Sequence, residues 1–188
     1  MSNFYTERQP EWLEWIAPES FEDKELFKIV TFYLFHCPSE KSSYMRKSLK
    51  DYGWNTPWRK PYKLNEQLKR ATNNERLIYS SQTIKEMDKA LEKAQLDKNF
   101  PNDTELEKIC IYNCKKNQFE SIFYHIRNAF AHCRLNMKEQ NKECIFILED
   151  GKPKNDKQFI VTARMIIKKS TLLKWMDIIE NGEKKLEN

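Results

Sequence analysis

Apolar residues recur every three or four positions along most of the chain, which is the spacing of one face of an α-helix. The first clear run begins at Ser20, where Asp23 completes a capping-box-like arrangement, and it ends before Pro38. The helices predicted from this spacing cover about residues 20–37, 63–72, 74–97, 104–111 and 118–133. The pattern therefore predicts a mostly α fold.

The period changes after residue 143. Residues 144–148 and 159–167 are rich in β-branched and aromatic residues, and a turn-rich segment at 149–156 separates them. This arrangement predicts a C-terminal β-hairpin. A last helix is predicted from Leu172 to Ile179, with Ser170 or Thr171 as its cap.

The length of 188 residues suits one domain with a sizeable core. We expect a single domain over residues 1–188, with a helical core at about 20–135 and the hairpin plus helix at about 143–180. Near the N-terminus, Trp12 and Trp15 predict a short helical turn held against the body of the protein. Prolines and a glycine interrupt the helical pattern between residues 38 and 63.

Composition and charge exclude several classes of function. A formal charge of +5 permits a nucleic-acid partner without requiring one. Three glycines are too few for a glycine-rich phosphate loop, and five irregularly spaced cysteines favour reduced thiols. The N-terminus lacks the pattern of a secretory signal, and the longest apolar stretch, at about residues 29–37, is too short to cross a bilayer. We expect a cytoplasmic protein with no membrane partner.

The predicted helix at 118–133 carries two different stripes. Its apolar stripe consists of Phe119, Phe123, Ile126 and Phe130, which we assign to the core. Its polar stripe consists of Ser121, His125, Asn128 and His132. A stripe with two of the three histidines of the chain differs from the Lys/Glu composition of an ordinary solvated face.

Arg127 does not lie on either stripe. In an ideal helix it would be about 140 degrees from His132. Either the long arginine side chain wraps towards the polar side, or the helix ends near Ala131 and His132 swings towards the arginine. Both possibilities stay open from the sequence.

Arg127, Asn128 and His132 reproduce an Arg-x4-6-His signature with asparagine directly after the arginine. In this the chain resembles the HEPN superfamily of helical ribonucleases. The resemblance implies a HEPN-like helical bundle, here with a C-terminal β-hairpin and final helix. It also implies a homodimer in which two copies of the motif line one composite active site.

The resemblance implies a metal-independent endoribonuclease, and the residue types suit that chemistry. His132 would transfer protons, Arg127 would stabilise charge on the phosphate, and Asn128 would orient one of them. We expect no cofactor and no metal, and products with 2',3'-cyclic phosphate ends. Kinship further implies a toxin or anti-phage abortive-infection effector, with an antitoxin or regulatory chain as a possible partner.

One position departs from a pattern known in this superfamily. In HEPN toxins that are silenced by nucleotidylation, the modified tyrosine lies two positions after the histidine, where this chain has Arg134. The resemblance therefore does not imply control of that kind at this position. Arg134 instead adds positive charge next to the motif.

A basic and aromatic segment is the candidate RNA-binding surface. Between residues 41 and 70 there are nine basic and two acidic residues, interleaved with tyrosines and tryptophans. The predicted RNA contacts are Arg46, Lys47, Trp54, Trp58, Arg59 and Lys60, together with His125 and Arg134. The alternative is that the tryptophans anchor a loop on the core and the charges only keep it soluble.

Three other interpretations compete with the nuclease. Cys110 and Cys114 with His125 or Cys133 could be zinc ligands, but the spacing fits no compact zinc module. A Cys133–His132 nucleophile is weaker, because adjacent helical residues point apart. The main alternative is a non-catalytic RNA-binding or dimeric scaffolding protein that uses the motif helix as its interface.

Overall fold

The protein is described from a computed structural model, which covers residues 23–39, 44–58, 63–72, 77–97, 104, 106–155 and 158–182. The predicted turn at Trp12 and Trp15 and the predicted RNA contacts Arg59 and Lys60 lie outside these residues. Within the described residues, no helix has the length and apolar character needed to cross a membrane.

A five-stranded mixed sheet forms the centre of the structure, so the predicted mostly α bundle is wrong. The strands are β1 (Leu77–Ser81), β2 (Lys108–Tyr112), β3 (Leu135–Gln140), β4 (Glu143–Asn155) and β5 (Gln158–Lys168). Their order across the sheet is β1-β2-β5-β4-β3. Strands β1 and β2 are parallel, and the other neighbours are antiparallel.

Helices cover both faces of this sheet. They are α1 (Lys24–Thr31), α2 (Lys63–Arg70), α3 (Met87–Ala94), α4 (Gln118–Ala131) and α5 (Lys169–Asn181). A π-helical turn at Phe32–His36 continues α1, and 3-10 turns lie at Leu49–Tyr52 and Ile84–Glu86. The predicted end of the first helix before Pro38 is confirmed, although its N-cap is Asp23, which accepts N–H bonds from Glu25 and Leu26.

Alternation along the strands separates two cores. Successive side chains of a strand point to opposite faces, so Phe146 and Leu148 pack with α1, α2, α4 and α5. Ile145 and Ile147 pack on the other face, against α3. The sheet is therefore a middle layer between a large helical layer and the single helix α3.

Two predicted helices are wrong because short apolar runs fit a strand as well as a helix. Residues 77–81, predicted as part of a long helix, form β1, and among the described residues 77–97 the α-helical stretch is Met87–Ala94. Residues 108–112, also predicted as helix, form β2. This strand is buried at its three central residues because it lies between β1 and β5.

The C-terminal half follows the prediction more closely. The β4–β5 hairpin, the motif helix and the last helix are confirmed, although β4 extends through the segment predicted as a loop. The predicted cap of the last helix, Ser170 or Thr171, is wrong, because α5 begins at Lys169 with Lys168 as its N-cap. Strand β3 was not predicted. It joins β4 through Asn141 and Lys142, which both have positive φ, as the tightest hairpin turns require.

Trp175 connects α5 to the helices on its face of the sheet. Its side chain is fully buried, its indole Nε1 donates to the Leu68 carbonyl at 2.9 Å, and its ring meets Phe119 and Phe123 edge-on. It therefore joins α2, α4 and α5 in one contact.

We predict that Trp175→Ala lowers the free energy of unfolding by about 3–5 kcal/mol, because it leaves a large cavity and an unpaired carbonyl. Urea unfolding followed by circular dichroism measures this. The matched control is Phe27→Ala on α1, since Phe27 is 64% exposed and should change stability by less than about 0.5 kcal/mol. Equal losses in the two variants would contradict the packing described.

Candidate active site

Helix α4 has a buried side and a narrow exposed stripe. The predicted apolar stripe is confirmed as core, since Phe119, Phe123, Ile126 and Phe130 are all buried. The predicted polar stripe does not line a cleft, because Ser121 and His125 are only 0% and 2% exposed. The partly or fully exposed side chains of the helix are Gln118, Glu120, Tyr124, Arg127, Asn128 and Ala131.

The end of α4 determines where His132 lies. The N–H of Arg134 donates to the Ala129 carbonyl at 2.8 Å, and the N–H of Cys133 donates to the Phe130 carbonyl at 3.2 Å. These two bonds, with Cys133 at a φ of 52°, form a Schellman motif. Such an end usually carries glycine at the left-handed position, and the cysteine there concealed it from sequence reasoning.

His132 is the C-cap residue of this motif. Its backbone angles, φ −99° and ψ 9°, are no longer those of an α-helix. Its side chain is exposed. Of the two possibilities open from the sequence, the structure therefore has the helix ending at Ala131. The motif histidine lies at the surface, directly after the turn that carries Arg127 and Asn128.

His125 lies inside the protein and bonds to strand residues. Its Nδ1 is 2.7 Å from Oδ2 of Asp150 on β4, and its Nε2 is 2.8 Å from the carbonyl oxygen of Tyr112 on β2. The thiol of Cys114 is 3.8 Å from the same Nε2. The prediction that His125 contacts RNA is therefore wrong for this structure, because its ring is not accessible.

The two partners of His125 determine its charge. A carboxylate and a carbonyl only accept hydrogen bonds, so both ring nitrogens must donate, and the ring is an imidazolium. Burial disfavours this charge, but the hydrogen bonds to Asp150 and Cys114 favour it more and raise the pKa of His125 from 6.5 to about 9. His125 and Asp150 form a buried ion pair.

Asn128 and Arg127 are connected to this pair. The Nδ2 amide of Asn128 donates to Oδ2 of Asp150 at 3.1 Å, and Nη1 of Arg127 donates to Oδ1 of Asn128 at 3.1 Å. Nε of Arg127 is buried and has no hydrogen-bond partner among the described residues. The structure therefore links Arg127, Asn128, Asp150 and His125 in one chain of contacts.

Arg134 belongs to a different network. Its guanidinium lies 3.8 Å from the centre of the Phe159 ring and 3.6 Å from the buried carboxylate of Glu149. Glu149 also accepts a bond from Arg164 Nε at 2.9 Å. Because Arg134 is engaged within the protein, we leave it out of the proposed RNA surface.

Among the predicted RNA contacts in the basic segment, some side chains are buried and others are exposed. Trp54 is fully buried and donates to the Ile179 carbonyl at 3.0 Å, so it anchors the segment on the core and is not available to stack on a base. Trp58 is partly exposed and donates to Glu120 on α4 at 2.9 Å. Arg46 is exposed, and Lys47 lies over the Tyr52 ring. These contacts place part of the segment next to the exposed stripe of α4.

Asp150 is the residue that sequence reasoning missed. In the sequence Glu149, Asp150 and Gly151 resemble the start of a turn, which predicts a loop. In the structure Glu149 and Asp150 are buried members of β4. Only their partners, which come from distant parts of the chain, explain why two adjacent carboxylates lie inside a sheet.

The alternative in which Cys110 and Cys114 share a zinc ion does not fit their positions in the structure. Cys110 is buried in β2 among residues that face α3, whereas Cys114 lies next to His125 on the other side of that strand's end. In the part of the chain that the structure describes, no three His, Cys, Asp or Glu residues are grouped as metal ligands would be.

A comparison of sequences shows the class of the protein. A sequence model of the family HEPN pEK499 p136 matches residues 16–186, which is most of the chain. The protein therefore belongs to the HEPN superfamily, and within it to the pEK499 p136 family. HEPN proteins generally include ribonucleases. Searches of curated proteins and of solved structures gave no match.

The buried ion pair predicts a pH dependence of stability. Because the folded pKa of His125, about 9, exceeds the unfolded value of 6.5, its contribution is complete below pH 6.5 and is lost as the pH rises through 9. Each pH unit between the two values is worth about 1.4 kcal/mol, so the total is on the order of 3 kcal/mol. Urea unfolding at pH 6, 7.5 and 9.5 measures the loss.

The control for this prediction is His125→Gln, which has no titrating group at this position. We expect a visibly flatter decline in unfolding free energy between pH 6.5 and 9 for this variant. Parallel curves for the two proteins would show that His125 does not titrate as described. An NMR titration of the wild-type imidazole gives an independent reading.

Proposed function

We propose that the protein is a metal-independent endoribonuclease. The observation that carries the proposal is the end of α4, where exposed His132 follows Asn128 by four residues and the Asn128 side chain is hydrogen-bonded to that of Arg127. Membership of a HEPN family supports it at the level of the class. The residues proposed to act are Arg127, Asn128 and His132.

The proposed reaction uses the 2'-hydroxyl of RNA as nucleophile. His132 removes the 2'-proton while the 2'-oxygen forms a bond to phosphorus, and the bond from phosphorus to the 5'-oxygen breaks. A second acid donates a proton to the departing 5'-oxygen. The products are a 2',3'-cyclic phosphate and a free 5'-hydroxyl, and DNA is resistant because it lacks the 2'-hydroxyl.

The need for two proton-transfer groups supports a dimer. Among the described residues of α4 and its C-cap, His132 is exposed whereas His125 is buried and holds its protons in bonds to Asp150 and Tyr112. One chain therefore supplies one such histidine from its motif. A two-fold homodimer would supply both, together with two Arg127 side chains.

Arg127 is proposed to bind the scissile phosphate. Its guanidinium is permanently charged, and its planar fork can donate two hydrogen bonds to phosphate oxygens. One of its donors, Nη1, is already fixed by Asn128, which limits the orientations of the group. Charge that develops on phosphorus in the transition state is then met by a donor that is already in place.

The proposed RNA surface continues from α4 onto the basic segment. It includes Arg46, Lys47 and Trp58, with Tyr44, which is 77% exposed. The bond from Trp58 to Glu120 supports this, because it places the segment against the stripe that also carries Arg127. Basic groups would follow the phosphates, and the exposed rings would stack on unpaired bases.

We propose a biological role as a toxin or anti-phage effector that acts in the cytoplasm and is held in check by an antitoxin or regulatory chain. Family membership supports the toxin class.

We predict that the wild type cuts RNA in the presence of a chelator and that His132→Ala is at least about 100-fold slower, as is typical for loss of a general acid–base group. Gel analysis of labelled single-stranded RNA measures the rate. Resistance of product ends to phosphatase, relieved by acid treatment, identifies the cyclic phosphate. A DNA strand of the same sequence should stay intact.

The matched control is His36→Ala, a change of the same residue type outside the motif, which should cut at the wild-type rate. If wild type and His132→Ala both bind RNA equally and neither cuts it, the protein is a binding or scaffolding module. Cleavage by His132→Ala at the wild-type rate would show that another residue is responsible.

We predict that Arg127→Lys lowers kcat by about 10- to 100-fold, because lysine keeps the charge but loses the planar fork. KM should change much less. The control is Lys47→Arg, a charge-conserving change on the proposed RNA surface, for which kcat should stay the same. Unchanged kcat in Arg127→Lys would show that only the charge at this position matters.

A further inference from the structure

Asp150 connects the buried part of the site to its exposed part. Its carboxylate receives three hydrogen bonds: Oδ2 accepts from His125 Nδ1 at 2.7 Å and from Asn128 Nδ2 at 3.1 Å, and Oδ1 accepts from Gly151 N at 2.8 Å. All three partners are donors. Both terminal side-chain atoms of residue 150 must therefore be hydrogen-bond acceptors.

The position of Asp150 follows from an irregularity in β4. The register between β4 and β5 shifts between Asp150 and Gly151, as at a β-bulge. Bulges change the direction of the side chain next to them. A side chain at residue 151 would meet the Ile160 carbonyl and the Phe159 ring, so the bulge has room for glycine alone.

We propose that Asp150, paired with the protonated His125, is a positioning residue of the nuclease, because it fixes the Asn128 amide so that its oxygen aims the Arg127 guanidinium. Asp150 touches no substrate in this proposal. With its Nδ2 amide bound to Asp150, Asn128 cannot exchange the places of its oxygen and nitrogen, and only the oxygen can accept from Arg127 Nη1. This inference rests on the proposed ribonuclease function.

The isosteric change Asp150→Asn is the direct test. An amide has one oxygen and one nitrogen, so whichever way it turns, a donor faces a donor at one or two of the three bonds. We expect kcat for RNA cleavage to fall about 10- to 100-fold, as for a small misplacement of a catalytic group, with KM changed less than about twofold. Unchanged kcat would overturn the proposal.

The matched control is Glu149→Gln. Glu149 is also a buried carboxylate of β4, but it faces Arg164 on the side of the sheet that carries α3. This change costs stability without touching Asn128, and we expect kcat to stay within about twofold of the wild type when measured on folded protein. An equal loss of kcat in both variants would show that Asp150 acts only through the stability of the fold.

A swap of the two side chains separates positioning from structure further. In the double variant Asn128→Asp/Asp150→Asn, the new amide at position 150 can donate to the new carboxylate at 128 and also to a neutral His125. The carboxylate at 128 can still accept from Arg127. We expect kcat at least about tenfold above that of Asp150→Asn alone, a coupling that independent sites do not show. No recovery would count against the proposed geometry.

A measurement without RNA keeps this inference separate from the proposed function. In the wild type, the Asn128 side-chain amide should give NMR signals that exchange slowly with water, and Asp150→Asn should shift them and speed their exchange, whereas Glu149→Gln should not. If the wild type cuts no RNA, the nuclease proposal fails and this readout alone decides on positioning. Unaltered Asn128 signals in Asp150→Asn would overturn it.

Discussion

Strand β4 supplies side chains alternately to the two faces of the sheet, and the whole structure depends on this alternation. Its apolar residues 145–148 divide between the two cores. The alternation then continues with charged residues, because Glu149 pairs with Arg164 on the α3 side and Asp150 reaches α4 on the other. A buried carboxylate costs several kcal/mol unless it is fully bonded. Each of these two carboxylates therefore needs its own hydrogen-bond donors on the face of the sheet to which it points.

The candidate site has a buried part, which is held by hydrogen bonds, and an exposed part at the end of α4. Asp150 binds the buried His125 on one side and the partly exposed Asn128 on the other, so that it holds the Asn128 amide from inside the protein. The Schellman motif ends α4 directly before His132, and the His132 side chain is exposed at the surface. The side chain of Arg127 is partly exposed, and its guanidinium is bonded to Asn128. The bonds to Asp150 hold Asn128, and the Schellman motif exposes His132. Both features belong to helix α4.

The sequence predicted those features that a long local pattern specifies. The 14-residue amphipathic helix α4 and most of β5 were predicted, whereas only residues 144–148 of β4 were predicted as strand, because the residues after them are typical of turns. Strands β1 and β2 have five residues each, and at that length apolar spacing does not distinguish strand from helix. The motif residues were visible as residue types. Asp150 was not, because its partner His125 is 25 residues away and a carboxylate before glycine resembles a turn.

The order of elements along the chain has a consequence for how the protein is made. Helix α4 carries the motif, but β4, β5 and α5, which support it, all follow it in the chain. During synthesis, Arg127 and His132 emerge from the ribosome before Asp150 and before Trp175, which packs against Phe119 and Phe123. Since domains fold as units, the site is not assembled while these later elements are still being translated. Asn128 and Arg127 therefore gain their buried support from Asp150 only once the strand that carries this carboxylate has been made.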